Sequence, residues 1–310
     1  MDRRVKYVIG IDGGGTKSLL HMMDLEGNLL LELRGGPTNI YATSEQAVEQ
    51  ELTELLSQMV EASGRSIADC VALCLGSAGV DRPYEKQVLS DIFRKCGVTG
   101  ILTITHDAEA VLVAGTGKQE GITLVSGTGS FGFARDLEGN RARTGGWGHL
   151  IGDEGGGYDI GINAIKAAVR SEDGREAPTL LLPMLMKEIG LERPEQFLQY
   201  VYKTAGKPQI AALAKVVSEA YLAGDVRAKR ILEDAASELY LKTSTLVRAL
   251  HFENRPITLV ANGSVFTHIH YVYERLSHLI KSSYPEITVV KPTLPAAHGA
   301  ALIALQSLPK

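Results

Sequence analysis

The chain has 310 residues, of which 45% are apolar and 22% charged, with 33 glycines and a net charge of -4. This composition is typical of a soluble α/β protein, and the length favours two domains. The acidic balance offers no basic surface for nucleic acid or an anionic membrane, and no apolar stretch reaches membrane-spanning length. We therefore expect a cytoplasmic protein whose partners are neither nucleic acids nor membranes.

The start of the chain and its cysteines also fit this expectation. The first apolar run ends at Asp12, too early for a secretory signal core, and predicts a first strand instead. Cys70, Cys74 and Cys96 cannot all pair and form no C-x-x-C unit. They are expected to be free, buried thiols in a reducing compartment.

In chain order, the first part of the sequence predicts the element order βββαβαβα. The glycine-rich turn at 12–17 follows a buried strand, and DLEGN at 24–28 forms the next turn. Ser44 is a predicted helix N-cap, and Gly64 is the stop of the same helix. The predicted elements are strands at 5–11, 17–23 and 29–34, a helix at 44–64, a strand at 71–76, a helix at 84–96, a strand at 101–105 and a helix at 107–114.

The pentapeptide DLEGN occurs again at 136–140, after a second series of strand, glycine turn and strand. Thr16 and Thr128 each stand eight residues before the aspartate of their pentapeptide. The repetition predicts a duplicated domain with helices inserted in the second copy, although a coincidental turn is the alternative. The later elements are a helical stretch at about 158–252, a strand at 257–261, a helix at 263–280, a strand at 287–290 and a helix at 296–307.

Each glycine turn presents several backbone N–H groups in a short span, which is typical of an anion-binding concavity. Two such turns from related halves could bind a polyphosphate from both sides of a cleft. Taken alone, either turn could equally be an ordinary hairpin, but the equivalent positions favour binding. GTGSFG at 127–132 lacks the helix that a dinucleotide fingerprint requires, and GTGK at 115–118 lacks the first glycine and the Ser/Thr of a P-loop.

Two aspartates stand at the ends of predicted strands, and one of them, Asp12, also adjoins the first glycine turn. Asp12 is placed to hold Mg²⁺ through water. Asp107 could accept the proton of an attacking hydroxyl, or it could simply be the N-cap of the next helix, and its position favours neither.

Two further segments have alternative interpretations. Residues 144–161 contain eight glycines and the only tryptophan, Trp147, whose ring could stack on a sugar or could anchor the loop in a core. Asn-Gly-Ser at 262–264 could lie against a planar base or could be a plain helix cap.

Six motifs together carry a family resemblance: IDGGGTK (11–17), THDAEA (105–110), SGTGSFG (126–132), GGWGHLIGDEG (145–155), NGSV (262–265) and AAHGAALIAL (296–305). In this order they resemble the N-acetylglucosamine kinase family, within the benzoyl-CoA reductase-type ATPases of the actin/hexokinase/Hsp70 superfamily. GGWGHLIGDEG is the most specific motif, whereas the glycine turns alone indicate only the superfamily.

The resemblance implies an α/β fold of two duplicated ribonuclease-H-like (actin-like ATPase) domains, each with a βββαβαβα core. The N-terminal domain would comprise 1–118 and the C-terminal helix 295–310. The C-terminal domain would comprise 119–294, with the helical insertion at about 158–252. The resemblance also implies ATP and Mg²⁺ as cofactors and a small-molecule sugar as substrate, and we expect a homodimer.

The same resemblance implies roles for individual residues. Asp107 matches the catalytic base, and Asp12 lies near the metal. The residues that match ATP- and phosphate-binding positions are Gly13, Gly14, Gly15, Thr16, Lys17, Gly127, Thr128, Gly129, Gly263 and Ser264. The residues that match sugar-binding positions are Asn39, Ser130, Gly146, Trp147, Gly148 and Asp153.

The chain also departs from the family pattern. Phe131 stands where vertebrate members have a polar residue near the sugar, which leaves the preferred substituent open and allows an amino sugar with a different or bulkier one. The zinc-binding cysteine motif of other bacterial sugar kinases is missing, so no structural metal is expected.

These features predict an ATP-dependent kinase that phosphorylates the 6-hydroxyl of N-acetylglucosamine or a relative such as N-acetylmuramic acid or glucosamine, in amino-sugar metabolism or cell-wall recycling. One alternative is an ATP-hydrolysing activator of a CoA-ester dehydratase or reductase, which would need cysteines for an iron–sulfur cluster. The other is an ATP-binding regulator without turnover.

Overall fold

The structure is a computed structural model that describes residues 6–80 and 82–309. The chain divides into two compact units, Met1–Glu120 with Pro292–Lys310, and Gly121–Lys291. The sequence had predicted boundaries at 118/119 and 294/295.

The secondary structure follows the chain order of the duplicated pattern. The strands are β1 (Tyr7–Gly13), β2 (Ser18–Met23), β3 (Leu29–Gly35), β4 (Cys70–Ser77), β5 (Ile101–Thr105), β6 (Gly121–Ser126), β7 (Ser130–Arg135), β8 (Arg141–Gly145), β9 (Thr258–Asn262) and β10 (Thr288–Val290). The helices are α1 (Glu45–Ser63), α2 (Pro83–Lys95), α3 (Asp107–Thr116), α4 (Gly157–Glu172), α5 (Leu181–Ile189), α6 (Gln196–Gln199), α7 (Lys207–Ala212), α8 (Ala214–Leu222), α9 (Val226–Ala249), α10 (Ser264–His268), α11 (His270–Ser283) and α12 (Ala296–Gln306).

Both units contain a five-stranded mixed sheet with the same topology. The strand order is β3-β2-β1-β4-β5 in the first unit and β8-β7-β6-β9-β10 in the second. In each, the first strand is antiparallel to the second and parallel to the fourth. The predicted duplication of an α/β core is therefore confirmed.

The repeated pentapeptide forms the same turn in both units. The Asp24 side chain accepts hydrogen bonds from the backbone N–H and side-chain amide of Asn28, both at 2.8 Å. Asp136 accepts the same pair from Asn140 at 2.7 and 2.8 Å. The turn requires a glycine because its fourth residue has positive φ in both copies, +92° and +86°.

Local signals set the ends of α1 as predicted. The Ser44 hydroxyl accepts a hydrogen bond from the Ala47 N–H at 3.2 Å, which satisfies one of the unpaired amides of the first turn. Gly64 adopts a left-handed conformation and donates its N–H to the Val60 carbonyl, which ends the helix. Strand β1 begins at Tyr7, and Val5, which the sequence assigned to this strand, lies outside the described residues.

The C-terminal helix α12 packs directly on the first sheet. A Cβ built on Gly10 of β1 would lie 2.0 Å from the Ala301 nitrogen, so only glycine permits this approach. A Cβ on Gly299 would lie 1.9 Å from the Ala110 carbonyl oxygen of α3. These two glycines allow α12 to cover one face of the first sheet, while α1 and α2 cover the other.

One predicted helix differs from the structure. The sequence predicted a single helix at 263–280, whereas the structure has α10 and α11, separated at Ile269. Ile269 has φ −113° and ψ 79°, which ends the first helix, and its side chain is buried. Among the described residues, no helix is both long and apolar enough to cross a bilayer.

Candidate active site

Asp12 and Asp107 lie at the same edge of the first sheet, because β1, β4 and β5 are parallel, Asp12 is near the carboxyl end of β1, and Asp107 begins α3 directly beyond the carboxyl end of β5. Asp12 pairs with Gly76 of β4. A Cβ built on Gly76 would lie 2.9 Å from the Ala110 Cβ and 3.6 Å from the Asp107 Cα. The absence of a side chain at this position therefore lets the start of α3 approach β4.

The electrostatics of this edge disfavour two ionised carboxylates. Burial first, and then the negative charge of Asp107, raise the pKa of Asp12 to about 6, while Lys17 acts in the opposite direction. The described residues include no group of three or more metal-ligating side chains that could hold an ion by themselves. Two carboxylates that complete their shell with waters and phosphate oxygens are nevertheless the usual donors for Mg²⁺, so this pair fits that ion.

Asp107 is oriented through one of its two oxygens. Oδ1 lies 2.6 Å from Nδ1 of His106 and accepts a hydrogen bond from the Ala108 N–H at 2.7 Å. No partner for Oδ2 is seen in the described part of the chain, and the side chain is 32% exposed. The N-cap of α3 is His106. The capping role that the sequence left open for Asp107 therefore belongs to its neighbour.

The first glycine loop, residues 14–17, connects β1 to β2. The Gly14 N–H donates to the Lys17 carbonyl and the Gly14 carbonyl accepts from the Thr38 N–H, both at 3.1 Å. The amides of Gly15 and Thr16 have no hydrogen-bond partner among residues 6–80 and 82–309. The loop thus keeps donors available for an anion.

The contact with the first glycine loop also positions Asn39, which directly follows Thr38. The Oδ1 atom of Asn39 accepts the Tyr41 N–H at 2.8 Å, which fixes the side chain. Gly13 permits the approach of this segment, because a Cβ there would lie 2.7 Å from the Thr38 hydroxyl.

The second glycine loop, residues 127–129, is held from behind by the start of α4. The Gly127 carbonyl accepts the Gly157 N–H at 2.7 Å, and the Thr128 carbonyl accepts the Tyr158 N–H at 2.9 Å. The amides of Thr128 and Gly129 have no partner in the part of the chain that the structure describes. The first amides of α4 therefore anchor the carbonyls of the loop, and the loop retains its own amides as donors.

A cavity of about 480 Å³ opens beside the second glycine loop. One wall is the start of α10, where Gly263 has φ +116° and a Cβ would lie 2.3 Å from the Ser126 carbonyl oxygen. The other wall comes from the helical insertion. The lining residues are Gly127, Thr128, Gly157, Pro208, Ala211, Ala212, Ala214, Lys215, Ser264, Val265, His268 and Ile269. The small side chains leave room for a flat, partly apolar group next to the loop amides.

The tryptophan loop, residues 145–155, places apolar side chains in solvent. Trp147 is 69% exposed, and Leu150 and Ile151 are also exposed. The guanidinium carbon of Arg143 lies 5.6 Å from the centre of the indole ring, and Arg143 also donates to the Gly146 carbonyl. Trp147 is therefore not a core residue, and its ring is available to an apolar face of a ligand.

Asp153 connects the tryptophan loop to the second glycine loop. It is a buried non-glycine residue with positive φ, +65°, a conformation that costs energy and is often found at functional sites. Its Oδ1 accepts the Gly148 N–H at 3.3 Å, and its Oδ2 accepts Lys207 Nζ at 2.9 Å. A Cβ on Gly129 would lie 2.3 Å from Oδ2, so the carboxylate touches the loop.

The residue after Asp153 is also fixed by the protein. Lys242 Nζ donates to both the carbonyl and the carboxylate of Glu154, at 2.9 and 3.1 Å. The Ser130 hydroxyl donates to the same carbonyl. Ser130 is buried, so in this structure its hydroxyl is engaged by the protein.

The sequence analysis missed the residues that the helical insertion contributes. Lys207, Lys242 and the cavity wall lie far along the chain from the glycine loops and belong to no motif. A lysine that precedes a proline at a helix start, as in Lys207-Pro208, is the sole local signal.

The comparisons with known proteins extend over nearly the whole chain. The model of the BadF/BadG/BcrA/BcrD ATPase family matches residues 9–304. The chain belongs to this family. The membership predicted from the motifs is therefore confirmed.

The relatives of this chain include proteins that are named as kinases. The N-acetylmuramic acid/N-acetylglucosamine kinase of Clostridium acetobutylicum is 40% identical over 301 residues, which cover 97% of this chain and 98% of the relative. The N-acetyl-D-glucosamine kinase of Dictyostelium discoideum is 29% identical over 311 residues, which cover 96% and 98%.

Solved structures share the fold. A Chromobacterium violaceum protein assigned as an N-acetylglucosamine kinase superposes with a TM-score of 0.73 at 24% identity, over 98% of this chain and 100% of that one. The ROK family glucokinase of Streptomyces griseus, in complex with glucose and AMPPNP, superposes with a TM-score of 0.56 at 17% identity, over 97% and 100%. The predicted actin-like ATPase fold is therefore confirmed.

Proposed function

We propose that this chain is an ATP-dependent kinase that transfers the γ-phosphoryl group to the 6-hydroxyl of N-acetylglucosamine or a related amino sugar such as N-acetylmuramic acid or glucosamine. The observation that carries the proposal is the position of Asp107 at the carboxyl edge of the first sheet, with one carboxylate oxygen fixed and the other without a partner among the described residues. The names of the relatives support the substrate class.

Asp107 would act as the general base. Its Oδ1 is held by His106 and the Ala108 N–H, which orients Oδ2 to accept the proton of the sugar hydroxyl. The sugar oxygen forms a bond to the γ-phosphorus as the bond to the β-phosphate oxygen breaks, and ADP leaves. Much of the rate acceleration would come from the alignment of donor and acceptor.

The glycine loops would bind the nucleotide phosphates. The partnerless amides of Thr128 and Gly129, and those of Gly15 and Thr16, are suited to phosphate oxygens. The adenosine would occupy the cavity between the insertion and α10, where Gly263 and Ser264 lie. Asp12 would hold Mg²⁺ through water. When bound, the ion supplies charge neutralisation on the phosphates.

The tryptophan loop would contribute to the sugar site. The exposed ring of Trp147 can stack on the C–H face of a pyranose, and Asn39 can bind sugar hydroxyls. Gly146 and Gly148 have φ +70° and +90°, which sets the course of the loop on both sides of the ring. Asp153 remains a predicted sugar residue whose carboxylate also binds Lys207.

The alternative of an electron-transfer activator has less support. Such a protein needs cysteines that can ligate an iron–sulfur cluster, but Cys70 and Cys74 are buried within β4. The homodimer expected from the sequence remains a prediction, and sedimentation velocity would measure the oligomeric state.

A coupled ADP-release assay over a panel of amino sugars tests the proposal. We expect turnover that requires N-acetylglucosamine, N-acetylmuramic acid or glucosamine and stays at background without an acceptor. Turnover that is equal with and without every sugar would overturn the kinase and favour an ATP-hydrolysing activator. Nucleotide binding without any turnover would favour a regulator.

A further inference from the structure

A single carboxylate, that of Asp153, contacts both the second glycine loop and a lysine of the helical insertion. Gly129 touches Oδ2 of Asp153, and the same oxygen accepts Lys207 Nζ at 2.9 Å. Pro208, the next residue after Lys207, lines the cavity together with Gly127 and Thr128. The start of α7 therefore places the positive charge of Lys207 next to the second glycine loop.

Lys207 retains the capacity to bind a second partner. An ammonium group has three donors, and the only partner of Nζ within residues 6–80 and 82–309 is Asp153. The Lys207 side chain is 35% exposed, whereas Asp153 is buried, so Lys207 can offer its remaining donors to a ligand while it keeps the ion pair. Lys242, the other lysine of this region, is only 6% exposed and gives two hydrogen bonds to Glu154, as expected for a purely structural lysine.

The charge balance at the loop requires such a residue. The carboxylate of Asp153 touches Gly129, so it would repel a polyphosphate bound to the adjacent amides unless a cation offsets it. Lys207 is the cation that contacts this carboxylate. A lysine is a suitable phosphate ligand because its compact charge can bind oxygens from several directions.

We propose that Lys207 binds a phosphate oxygen of the nucleotide at the second glycine loop with one of its remaining donors, and that it then bridges the phosphate and Asp153. The inference rests on the proposed nucleotide site. It assigns the helical insertion a direct part in phosphate binding, in addition to forming the cavity wall. Because Asp153 also accepts the Gly148 N–H, the same carboxylate connects Lys207 to the tryptophan loop.

Isothermal titration of ATP and of adenosine into four variants, without sugar, tests this proposal. For Lys207→Met we expect ATP binding about 10-fold weaker or more, with adenosine binding within about twofold of wild type. Lys207→Arg should recover part of the ATP affinity. Lys229→Met is the matched control, because Lys229 lies in the same insertion and pairs with Glu233 on the surface, at 3.8 Å. It should bind ATP like wild type.

Asp153→Asn distinguishes phosphate binding from a structural role. If Lys207 binds phosphate, loss of the Asp153 charge removes a repulsive group and frees the lysine, so ATP affinity should stay the same or rise. If Lys207 only positions Asp153, the two substitutions should act alike on sugar KM and leave ATP affinity unchanged. That second result would overturn the proposal.

The proposed function and this inference fail separately. A wild-type protein that binds ATP but phosphorylates no amino sugar would refute the kinase and leave the role of Lys207 standing. A sugar kinase whose Lys207→Met variant binds ATP with wild-type affinity would refute the role of Lys207 alone. If Lys207→Met loses adenosine binding as well, the other two variants decide. Partial recovery of ATP affinity in Lys207→Arg and unchanged or higher ATP affinity in Asp153→Asn would support the proposal, and ATP affinity lost in both variants would overturn it.

Discussion

The carboxyl groups of Asp12 and Asp107 are electrostatically coupled at the carboxyl edge of the first sheet. Burial, and next the charge of Asp107, raise the pKa of Asp12 to about 6. Asp12 is in β1, and Asp107 begins α3 just beyond β5, on the other side of β4. Gly76 of β4 pairs with Asp12 and leaves space for the start of α3. Without a cation, this arrangement lowers the stability of the folded protein. It therefore suits a site that binds a cation.

Asp12→Asn should stabilise the metal-free protein at neutral pH. Because the pKa of Asp12 is raised from 3.8 to about 6 in the folded state, the folded protein binds the proton more tightly than the unfolded chain. The Asp12 contribution to the free energy of unfolding therefore decreases as pH rises from about 4 to about 6. We expect the variant to be more stable by about 1–3 kcal/mol at pH 7.5 and to match wild type near pH 4.

Urea unfolding in EDTA at the two pH values measures this difference. Asp24→Asn is a control of opposite sign: hydrogen bonds from Asn28 lower the pKa of Asp24, so this variant should be less stable than wild type at both pH values, since the Asp24 contribution is lost only as pH falls below 3.8. An Asp12→Asn variant that is less stable than wild type at pH 7.5 would contradict the account.

Asp107→Asn should remove catalysis and leave nucleotide binding intact. The amide can keep the contact with the Ala108 N–H but cannot accept the hydroxyl proton. We expect kcat to fall by about 10² to 10⁴, with ADP affinity within about twofold of wild type. Steady-state kinetics and calorimetry measure the two quantities. Asp91→Asn, on the exposed face of α2, is the control. If Asp107→Asn had the same kcat as this control, Asp107 could not be the general base.

Alanine at two positions of the second glycine loop should have different effects. In Gly129→Ala the new methyl would lie 2.3 Å from Asp153 Oδ2, so the Asp153–Lys207 pair must shift. We expect the free energy of unfolding to fall by about 1–3 kcal/mol. In Gly127→Ala the methyl meets only Ser264 Oγ, at 3.9 Å, so stability should be retained while nucleotide binding weakens at the cavity. Equal unfolding midpoints for both variants would be inconsistent with the close approach of Asp153.

Trp147 should report sugar binding directly. It is the only tryptophan and is 69% exposed, so a sugar that covers the ring should shift its emission to shorter wavelength. Trp147→Ala should raise the KM of the sugar about 10-fold and change the free energy of unfolding by less than about 0.5 kcal/mol, because the ring is on the surface. Leu150→Ala, in the same loop and also exposed, is the comparison variant. If the emission does not change with any sugar that the enzyme phosphorylates, the sugar does not bind at the Trp147 ring.

The cysteines should react as structural thiols. Burial raises the pKa of Cys70 to about 12 and also raises that of Cys74, so neither thiol ionises near pH 8. In the native protein we expect alkylation at Cys96, which is partly exposed, and modification of the other two on unfolding only. Rapid native labelling of Cys70 or Cys74 would reopen the interpretation as an iron–sulfur activator.

The sequence was sufficient wherever the structure depends on local signals. Ser44 and Gly64 bound a helix, and the two DLEGN turns contain the same side-chain hydrogen bonds, so both were predictable from short patterns. The break at Ile269 was not, since no glycine or proline marks it in the sequence. The contacts of Lys207 and Lys242 were also out of reach, because they join residues far apart in the chain.

The most direct test of the central claim compares N-acetylglucosamine with its 6-deoxy analogue as acceptors in the ADP-release assay. If Asp107 removes the proton of the 6-hydroxyl, the analogue should bind and compete with the substrate but release no ADP above background. ADP release with the 6-deoxy analogue at the rate seen with N-acetylglucosamine would contradict the account.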